Sequence, residues 1–137
     1  MPPEAVPPGS AADWLRHARS DLALARIQNT PEVLRESLCF HAQQAAEKAL
    51  KAVLVAHAIA FPRTHNLGVL LDLLSATRPL PAEIQAADIL TEYAVSSRYP
   101  GEVEPITDEE YQEALNLAER VVAWAEEGTD SRQNHIT

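Results

Sequence analysis

The side chains best suited to bind an anion lie between residues 37 and 51. A helix that turns by about 100° per residue places five of them along one edge of its apolar face. These five are Ser37, His41, Gln44, Lys48 and Lys51. A glutamine amide offers donors and an acceptor, ammonium groups attract phosphate, and an imidazole exchanges a proton near neutral pH. The spacing indicates the wall of a polar groove; the alternative is a solvent-exposed edge in which Glu47 and Lys51 form an ordinary ion pair one turn apart.

A second set of candidates surrounds the sequence Arg98-Tyr99-Pro100-Gly101, which ends a predicted helix. The guanidinium of Arg98 suits a two-pronged contact with phosphate, or with a carboxylate of a partner chain. The turn that follows, which begins with Tyr99, fixes the direction of the Arg98 side chain. Tyr93 lies about one and a half helical turns before Arg98. The alternative is a structural Arg98 that interacts with the last carbonyls of its helix.

The sequence Thr64-His65-Asn66 forms a corner between two predicted helices. Thr64 and Asn66 are residue types that cap helix N-termini, so capping explains both of them. His65 stays open as a candidate, because a helix N-terminus also attracts anions and an imidazole beside it could help to hold a phosphate.

Five amphipathic stretches can position these side chains. The predicted helices cover residues 10–29, about 30–60, 67–74, 81–97 and 107–128. Their N-terminal signals are Ser10, Thr30 followed by Pro31, and a capping box of Thr107 and Glu110. The C-terminal stop of the last helix is Gly128.

The second of these helices is expected to be central. Its predicted apolar side consists of Leu34, Leu38, Ala42, Ala45, Ala49, Ala52, Val53 and Ala56. The many alanines allow a neighbouring helix to approach closely. Because no stretch alternates like a strand, the pattern predicts an all-α antiparallel four-helix up-and-down bundle with an additional short helix.

Composition limits the classes of protein to which the chain can belong. A length of 137 residues fits one domain, expected over residues 10–128 between a flexible extension at 1–9 and a flexible tail at 129–137. The charge of −9 disfavours a protein that mainly coats nucleic acid. No run reaches the roughly 20 apolar residues of a membrane span. The lone Cys39 and the absence of a signal-peptide pattern lead us to expect a cytoplasmic location with no membrane contact.

Three elements of the sequence, in this order and spacing, resemble the HEPN family over roughly residues 11–126. They are His41-Ala-Gln-Gln-Ala-Ala-Glu-Lys-Ala-Leu-Lys51, the corner Thr64-His65-Asn66-Leu67, and Tyr93 with Arg98-Tyr99-Pro100. The resemblance implies a helical bundle that is usually a homodimer, is encoded beside a minimal nucleotidyltransferase, and has proposed roles in nucleotide binding and in toxin–antitoxin pairs.

The resemblance also provides a test for catalysis, because ribonuclease members of the family carry an arginine, four to six residues, and then a histidine. After Arg98 the next histidine is His135, in the predicted tail. The pair Arg35 and His41 has the right spacing, but the two residues lie about 120° apart on one helix. We interpret that match as accidental. No glycine-rich phosphate loop and no zinc-binding pattern occurs, so no cofactor or metal is expected.

Three hypotheses follow from the sequence. The preferred one is a HEPN subunit that dimerises, pairs with a minimal nucleotidyltransferase, and contacts a nucleotide or RNA through Gln44, Lys48, Lys51, His41, Arg98 and Tyr99. The second is a metal-independent endoribonuclease toxin with His41, His65 and Arg98 as catalytic candidates. The third is a non-catalytic helical adaptor that binds only protein. The sequence leaves enzymatic activity open and favours a binding role.

Overall fold

The computed structural model describes residues 6–94 and 104–134, and every regular element in these ranges is helical. The helices are α1 (Ala11–Ala25), α2 (Arg35–Ala56), α3 (Leu67–Ser75), α4 (Ala82–Gln85), a 3₁₀ helix (Ala86–Tyr93) and α5 (Asp108–Asn134). The predicted all-α bundle is confirmed. Its core lies where α2 packs against α1 on one side and α5 on the other.

Alanine makes α2 the centre of the bundle. Ala45, Ala46, Ala49 and Ala52 are all fully buried on this helix. Their small side chains let the backbones of α1 and α5 come close from different directions, so burial extends around most of the helix. The predicted apolar side is therefore only part of its buried surface.

The N-terminal caps of α1 and α5 form as the sequence predicts. The Asp13 amide donates to Ser10 Oγ at 3.1 Å. In α5 the Glu110 amide donates to Thr107 Oγ1 at 3.1 Å, and the Thr107 amide donates to Glu110 Oε1 at 3.0 Å. These bonds satisfy amides that have no partner within the helix.

The predicted N-terminus of α2 is wrong by about four residues. Thr30 and Pro31 lie in a turn in which the Val33 amide donates to the Thr30 carbonyl, and α2 begins at Arg35. The start is fixed by distant partners, since Arg35 Nη1 donates to the carbonyl of Ile106, and the Ile106 amide donates to the carboxylate of Glu36. Leu34, predicted on the apolar side, is 63% exposed.

The C-termini of α1 and α2 also come earlier than expected. Helix α1 ends at Ala25, whose carbonyl accepts a hydrogen bond from the Tyr111 hydroxyl at 2.6 Å. Helix α2 ends at Ala56 in a Schellman motif, with Ala58 at φ 56°. The Ala58 amide donates to the Val55 carbonyl and the Ile59 amide to the Leu54 carbonyl.

The two last predicted helices differ from expectation in form or length. The stretch predicted as a fourth helix consists of one α-helical turn followed by the 3₁₀ helix. Its end near Ser97 lies outside the described residues. The stop predicted at Gly128 is wrong, because α5 continues to Asn134. The predicted division into a domain of residues 10–128 with flexible ends remains a prediction.

Candidate functional site

One carboxylate of α1 holds two of the predicted site residues of α2. Asp21 is 8% exposed, on the face of α1 that packs against α2. Its Oδ1 lies 2.9 Å from His41 Nδ1, and its Oδ2 accepts a hydrogen bond from Lys48 Nζ at 2.6 Å. An ionised carboxylate can only accept, so this contact places the proton on Nδ1 of His41. The imidazole and the ammonium group are thus fixed side by side while both remain partly exposed to solvent.

A second carboxylate lies deeper, on α2 itself. Glu47 is 2% exposed and is contacted by three groups. Lys51 Nζ donates to Oε2 at 2.9 Å, Gln43 Nε2 donates to Oε1 at 3.1 Å, and His65 Nδ1 lies 2.9 Å from Oε1. Gln43 Nε2 also donates to the backbone carbonyl of His65 at 3.0 Å. These bonds fasten the corner before α3 to the middle of α2.

Gln44 joins the second cluster and lies on the edge of α2 between His41 and Lys48. Its Nε2 donates to Gln43 Oε1 at 2.7 Å. We call the whole arrangement the α2 polar strip and define it by Asp21, His41, Gln43, Gln44, Glu47, Lys48, Lys51 and His65. No buried side-chain nitrogen or oxygen of the described residues lacks a hydrogen-bond partner, so the buried members of the strip are fully bonded.

Lys51 differs from Lys48 in its surroundings. It is only 7% exposed. Besides its bond to Glu47, its Nζ lies 5.3 Å from the ring centroid of Trp14 and 5.8 Å from that of Phe61. Contacts with aromatic rings at such distances stabilise a cation electrostatically. The ion pair of Glu47 and Lys51 considered from the sequence exists, but it is buried rather than solvated.

The strip contains as many carboxylates as ammonium groups. Asp21 balances Lys48 and Glu47 balances Lys51. The surface it offers to a ligand is consequently a set of positioned hydrogen-bonding groups, without a large positive field. Its exposed parts are His41, Gln44, Lys48 and the imidazole of His65, whose side chain is 69% exposed.

Two predicted site residues lie outside the described part of the chain, and the pair Arg35 and His41 can be compared by its contacts. Arg98 and Tyr99 lie outside the described residues, so their convergence with the strip remains a prediction. Arg35 bonds to the carbonyl of Ile106 and lies 3.9 Å from an oxygen of Asp108, whereas His41 bonds to Asp21. The Arg35 and His41 side chains thus serve different contacts.

The corner before α3 combines capping with the strip. Asn66 Oδ1 accepts from the Gly68 amide at 2.8 Å, and Thr64 Oγ1 accepts from the Asn66 amide at 3.0 Å. The capping predicted for Asn66 is confirmed. His65, between them, is directed to Glu47 instead of the helix N-terminus.

The sequence pattern did not single out Asp21 or Gln43, and it indicated Glu47 only as the ion-pair partner of Lys51. Asp21 follows Ala18 by three residues and precedes Ala25 by four, which places it on the buried stripe of α1. Gln43 and Glu47 share a side of α2 with Cys39 and Leu50. A charged or amide side chain within an apolar stripe was the available signal.

Two further features of the described residues concern metal ions and membranes. Among the residues whose side chains the structure describes, no group of three or more His, Cys, Asp or Glu side chains could hold a metal ion. Within residues 6–94 and 104–134, every helix is too short or too polar to span a membrane.

Comparison with known proteins identifies the family. The model of the HEPN domain matches residues 11–128, so the chain belongs to the HEPN domain family. An archaeal HEPN homologue of known structure is 31% identical and superposes with a TM-score of 0.71, covering 88% of this chain and 98% of its own. A protein of known structure from Thermus thermophilus is 34% identical with a TM-score of 0.70 and the same coverage. No curated protein matches the chain significantly.

Proposed function

We propose that this chain is a cytoplasmic HEPN subunit that dimerises, pairs with a minimal nucleotidyltransferase in a toxin–antitoxin-like system, and contacts a nucleotide or RNA through the α2 polar strip. Membership of the family supports the pairing. The observation that carries the contact is the fixed arrangement of His41 and Lys48 on the single carboxylate of Asp21. Groups held in place before binding lose little freedom when a ligand arrives, which favours affinity.

The roles of the strip residues follow from their exposure. Lys48 and His41 are the groups that meet phosphate, and Gln44 adds donors and an acceptor for a base or a ribose. Lys51 acts indirectly, because its ammonium group is engaged by Glu47 and keeps that carboxylate available to Gln43 and His65. In this proposal Arg98 and Tyr99 complete the surface beside the strip.

The contact is tested by titrating ATP and a short single-stranded RNA into the purified chain and into a Lys48→Ala variant. We expect the variant to bind at least tenfold more weakly. Arg120→Ala is the matched control, since it removes an exposed cation of α5 far from the strip in sequence. Equal loss in the two variants, or no binding by the parent chain, would contradict the proposed contact.

The partnership is tested separately, by co-expressing the chain with a nucleotidyltransferase encoded beside it. A complex that stays together in size-exclusion chromatography with light scattering is the expected result. Two proteins that elute separately at micromolar concentration would remove this part of the proposal.

A second candidate function is supported by the orientation of the histidines. His41 and His65 each approach a carboxylate through Nδ1, at 2.9 Å. Such a contact fixes the ring and leaves the other nitrogen for proton transfer, as general acid–base catalysis requires. The alternative is therefore a metal-independent endoribonuclease that uses these imidazoles with Arg98. It predicts RNA cleavage in EDTA that His41→Ala and Arg98→Ala abolish, and cleavage that survives both changes would exclude this assignment.

A further inference from the structure

A groove runs between α3 and the 3₁₀ helix, and none of its lining residues belongs to the α2 polar strip. Its volume is about 590 Å³, and its walls include Val69, Asp72, Asp88, Ile89 and Glu92. The two helices come close at Gly68, where a Cβ atom would lie 3.0 Å from the Asp88 carboxylate. Glycine at this position lets the walls approach, so the groove belongs to the packed structure of the domain.

The groove exposes aliphatic surface. Ile89 is 50% exposed and Val69 is 36% exposed, although both belong to elements whose other large aliphatic side chains are mostly buried. Single exposed aliphatic residues are common, but two that line one groove offer a place where a partner side chain can be removed from water.

The charges around the groove all have one sign. Asp72, Asp88 and Glu92 line it, and no lysine, arginine or histidine of the described residues does so. None of these three carboxylates forms an ion pair with a described residue. A surface of this kind repels phosphate and attracts a basic segment.

We propose that the groove docks a basic segment of a protein partner, in which an aliphatic residue is flanked by lysine or arginine. The aliphatic residue packs on Val69 and Ile89, while the flanking cations meet Asp72, Asp88 and Glu92. This inference rests on the proposed function in one respect: the proposed function supplies a protein partner, and the inference names the face of the chain that meets it.

A second copy of the chain fits this groove poorly. Most arginines with described side chains already pair with carboxylates of their own chain, at Arg16, Arg19, Arg26, Arg35 and Arg120. The chain as a whole carries a charge of −9, so two copies repel at an acidic surface. Charge complementarity therefore favours a different, basic protein.

The groove can be tested with a synthetic probe, the capped peptide Arg-Arg-Ile-Ile-Arg-Arg. Titrated into the ¹⁵N-labelled chain at low salt, it should shift the amide signals of Val69, Ile89 and Thr91 saturably. A peptide with serine in place of isoleucine should bind several-fold more weakly, and added salt should weaken both. Shifts centred elsewhere, or no binding at millimolar peptide, would overturn the proposal.

Charge-reversal variants supply the matched comparison. Asp72→Lys combined with Glu92→Lys should weaken peptide binding at least tenfold. Glu109→Lys combined with Glu113→Lys makes the same change in charge on exposed positions of α5 and should alter it less than twofold. Similar losses in both double variants would mean attraction by net charge alone and would overturn the assignment to this groove.

The same variants separate this inference from the proposed function. If the nucleotidyltransferase complex forms and survives the Asp72→Lys/Glu92→Lys change, the groove is not its docking face and the inference fails alone. If no complex forms while the peptide binds the groove, the proposed partnership fails and the docking surface stands. Sedimentation with and without the change shows whether a second copy occupies the groove, which would also overturn the assignment.

Discussion

At the scale of residues, two carboxylates determine how the polar side chains of α2 are arranged. Asp21 and Glu47 are both largely buried, and each is contacted by a histidine and a lysine. A buried charge is costly without a partner, so removing one member of such a pair leaves the other in an unfavourable environment. The strip is therefore coupled to the stability of the domain as well as to its surface.

Glu47→Ala should destabilise the domain strongly, because it leaves the ammonium group of Lys51 buried without its carboxylate partner and with only aromatic rings beside it. We expect the free energy of unfolding to fall by about 3–5 kcal/mol, measured by urea denaturation. Glu113→Ala, at an exposed position of α5, is the control and should change it by less than about 0.5 kcal/mol. A double change of Glu47→Leu with Lys51→Met should recover much of the loss, and a double variant as unstable as the single one would contradict this account of the pair.

Stability should also fall at alkaline pH because of two tyrosines. Burial raises the pKa of Tyr93 and of Tyr111 above the ordinary value of 10.0. The pKa of each tyrosine is therefore higher in the folded state than in the unfolded chain. The stability that comes from burying the neutral phenol is fully present below pH 10, and it is lost as the pH rises toward the folded-state pKa. Each tyrosine adds a slope of at most about 1.4 kcal/mol per pH unit in that window.

Tyr111→Phe isolates one part of that slope. At neutral pH it should cost about 1–3 kcal/mol, because the Ala25 carbonyl loses the hydroxyl that donates to it at 2.6 Å. Between pH 10 and 11 its free energy of unfolding should decline less steeply than that of the parent chain. Parallel curves for the two proteins in urea denaturation would show that Tyr111 does not titrate in this window.

The sequence specified the spacing of the polar residues along α2, but not the environment of each of them. Helical spacing alone places Gln44, Lys48 and Lys51 in a row. Whether a position in that row faces solvent depends on what packs beside it, and here Trp14 and Phe61 cover Lys51. Asp21 is twenty residues from His41, so their contact depends on tertiary packing that no local pattern specifies.

At the scale of elements, the positions of some helix ends are determined by local sequence signals, and the positions of others are determined by contacts with distant residues. The caps at Ser10, Asn66 and Thr107 were predictable because the capping bonds join residues two or three positions apart. The start of α2 was not, since its first residues contact Ile106, some seventy positions later. Thr30 and Pro31 satisfy the pattern of a helix start but occupy a turn.

Gly128 provides a test of the length of α5. It lies within the helix, and a Cβ atom there would meet only Val53 Cγ2, at 4.0 Å. Gly128→Ala should therefore raise the free energy of unfolding by about 0.5–1 kcal/mol, because alanine loses less freedom in a helix. If α5 ended at this glycine in the left-handed conformation, the same change would destabilise the protein, and that result would contradict the structure.

The opposite substitution applies at the end of α2. Ala58 occupies the left-handed region at φ 56°, where a Cβ atom is unfavourable and glycine is not. We expect Ala58→Gly to stabilise the domain by up to about 1 kcal/mol in urea denaturation, after allowing for the greater freedom of glycine in the unfolded chain. A loss of stability would mean that α2 continues past His57 in solution.

At the scale of the whole molecule, the two proposed contacts use surfaces of different charge. The α2 polar strip is electrically balanced, whereas the groove between α3 and the 3₁₀ helix is acidic. On a chain with a charge of −9, the strip is the more suitable surface for a phosphate-bearing ligand and the groove for a basic protein. The periodicity of the helices indicated the all-α architecture from the sequence, and three local motifs indicated the family.

The oligomeric state belongs to this scale as well. We expect sedimentation velocity to give a dimer at micromolar concentration, in agreement with the proposed function. Raising the salt concentration should favour the dimer, because it screens repulsion between two acidic chains. A monomer at every protein and salt concentration would remove dimerisation from the proposal.

The most direct test of the proposed ligand contact uses the two lysines of the chain, Lys48 and Lys51. Reductive ¹³C-methylation keeps their charge and gives each an NMR signal that can be followed during titration with ATP or single-stranded RNA. We predict that the Lys48 signal moves saturably while that of the buried Lys51 moves much less. Lysine signals that stay in place up to millimolar ligand would contradict the claim that the α2 polar strip contacts a nucleotide or RNA.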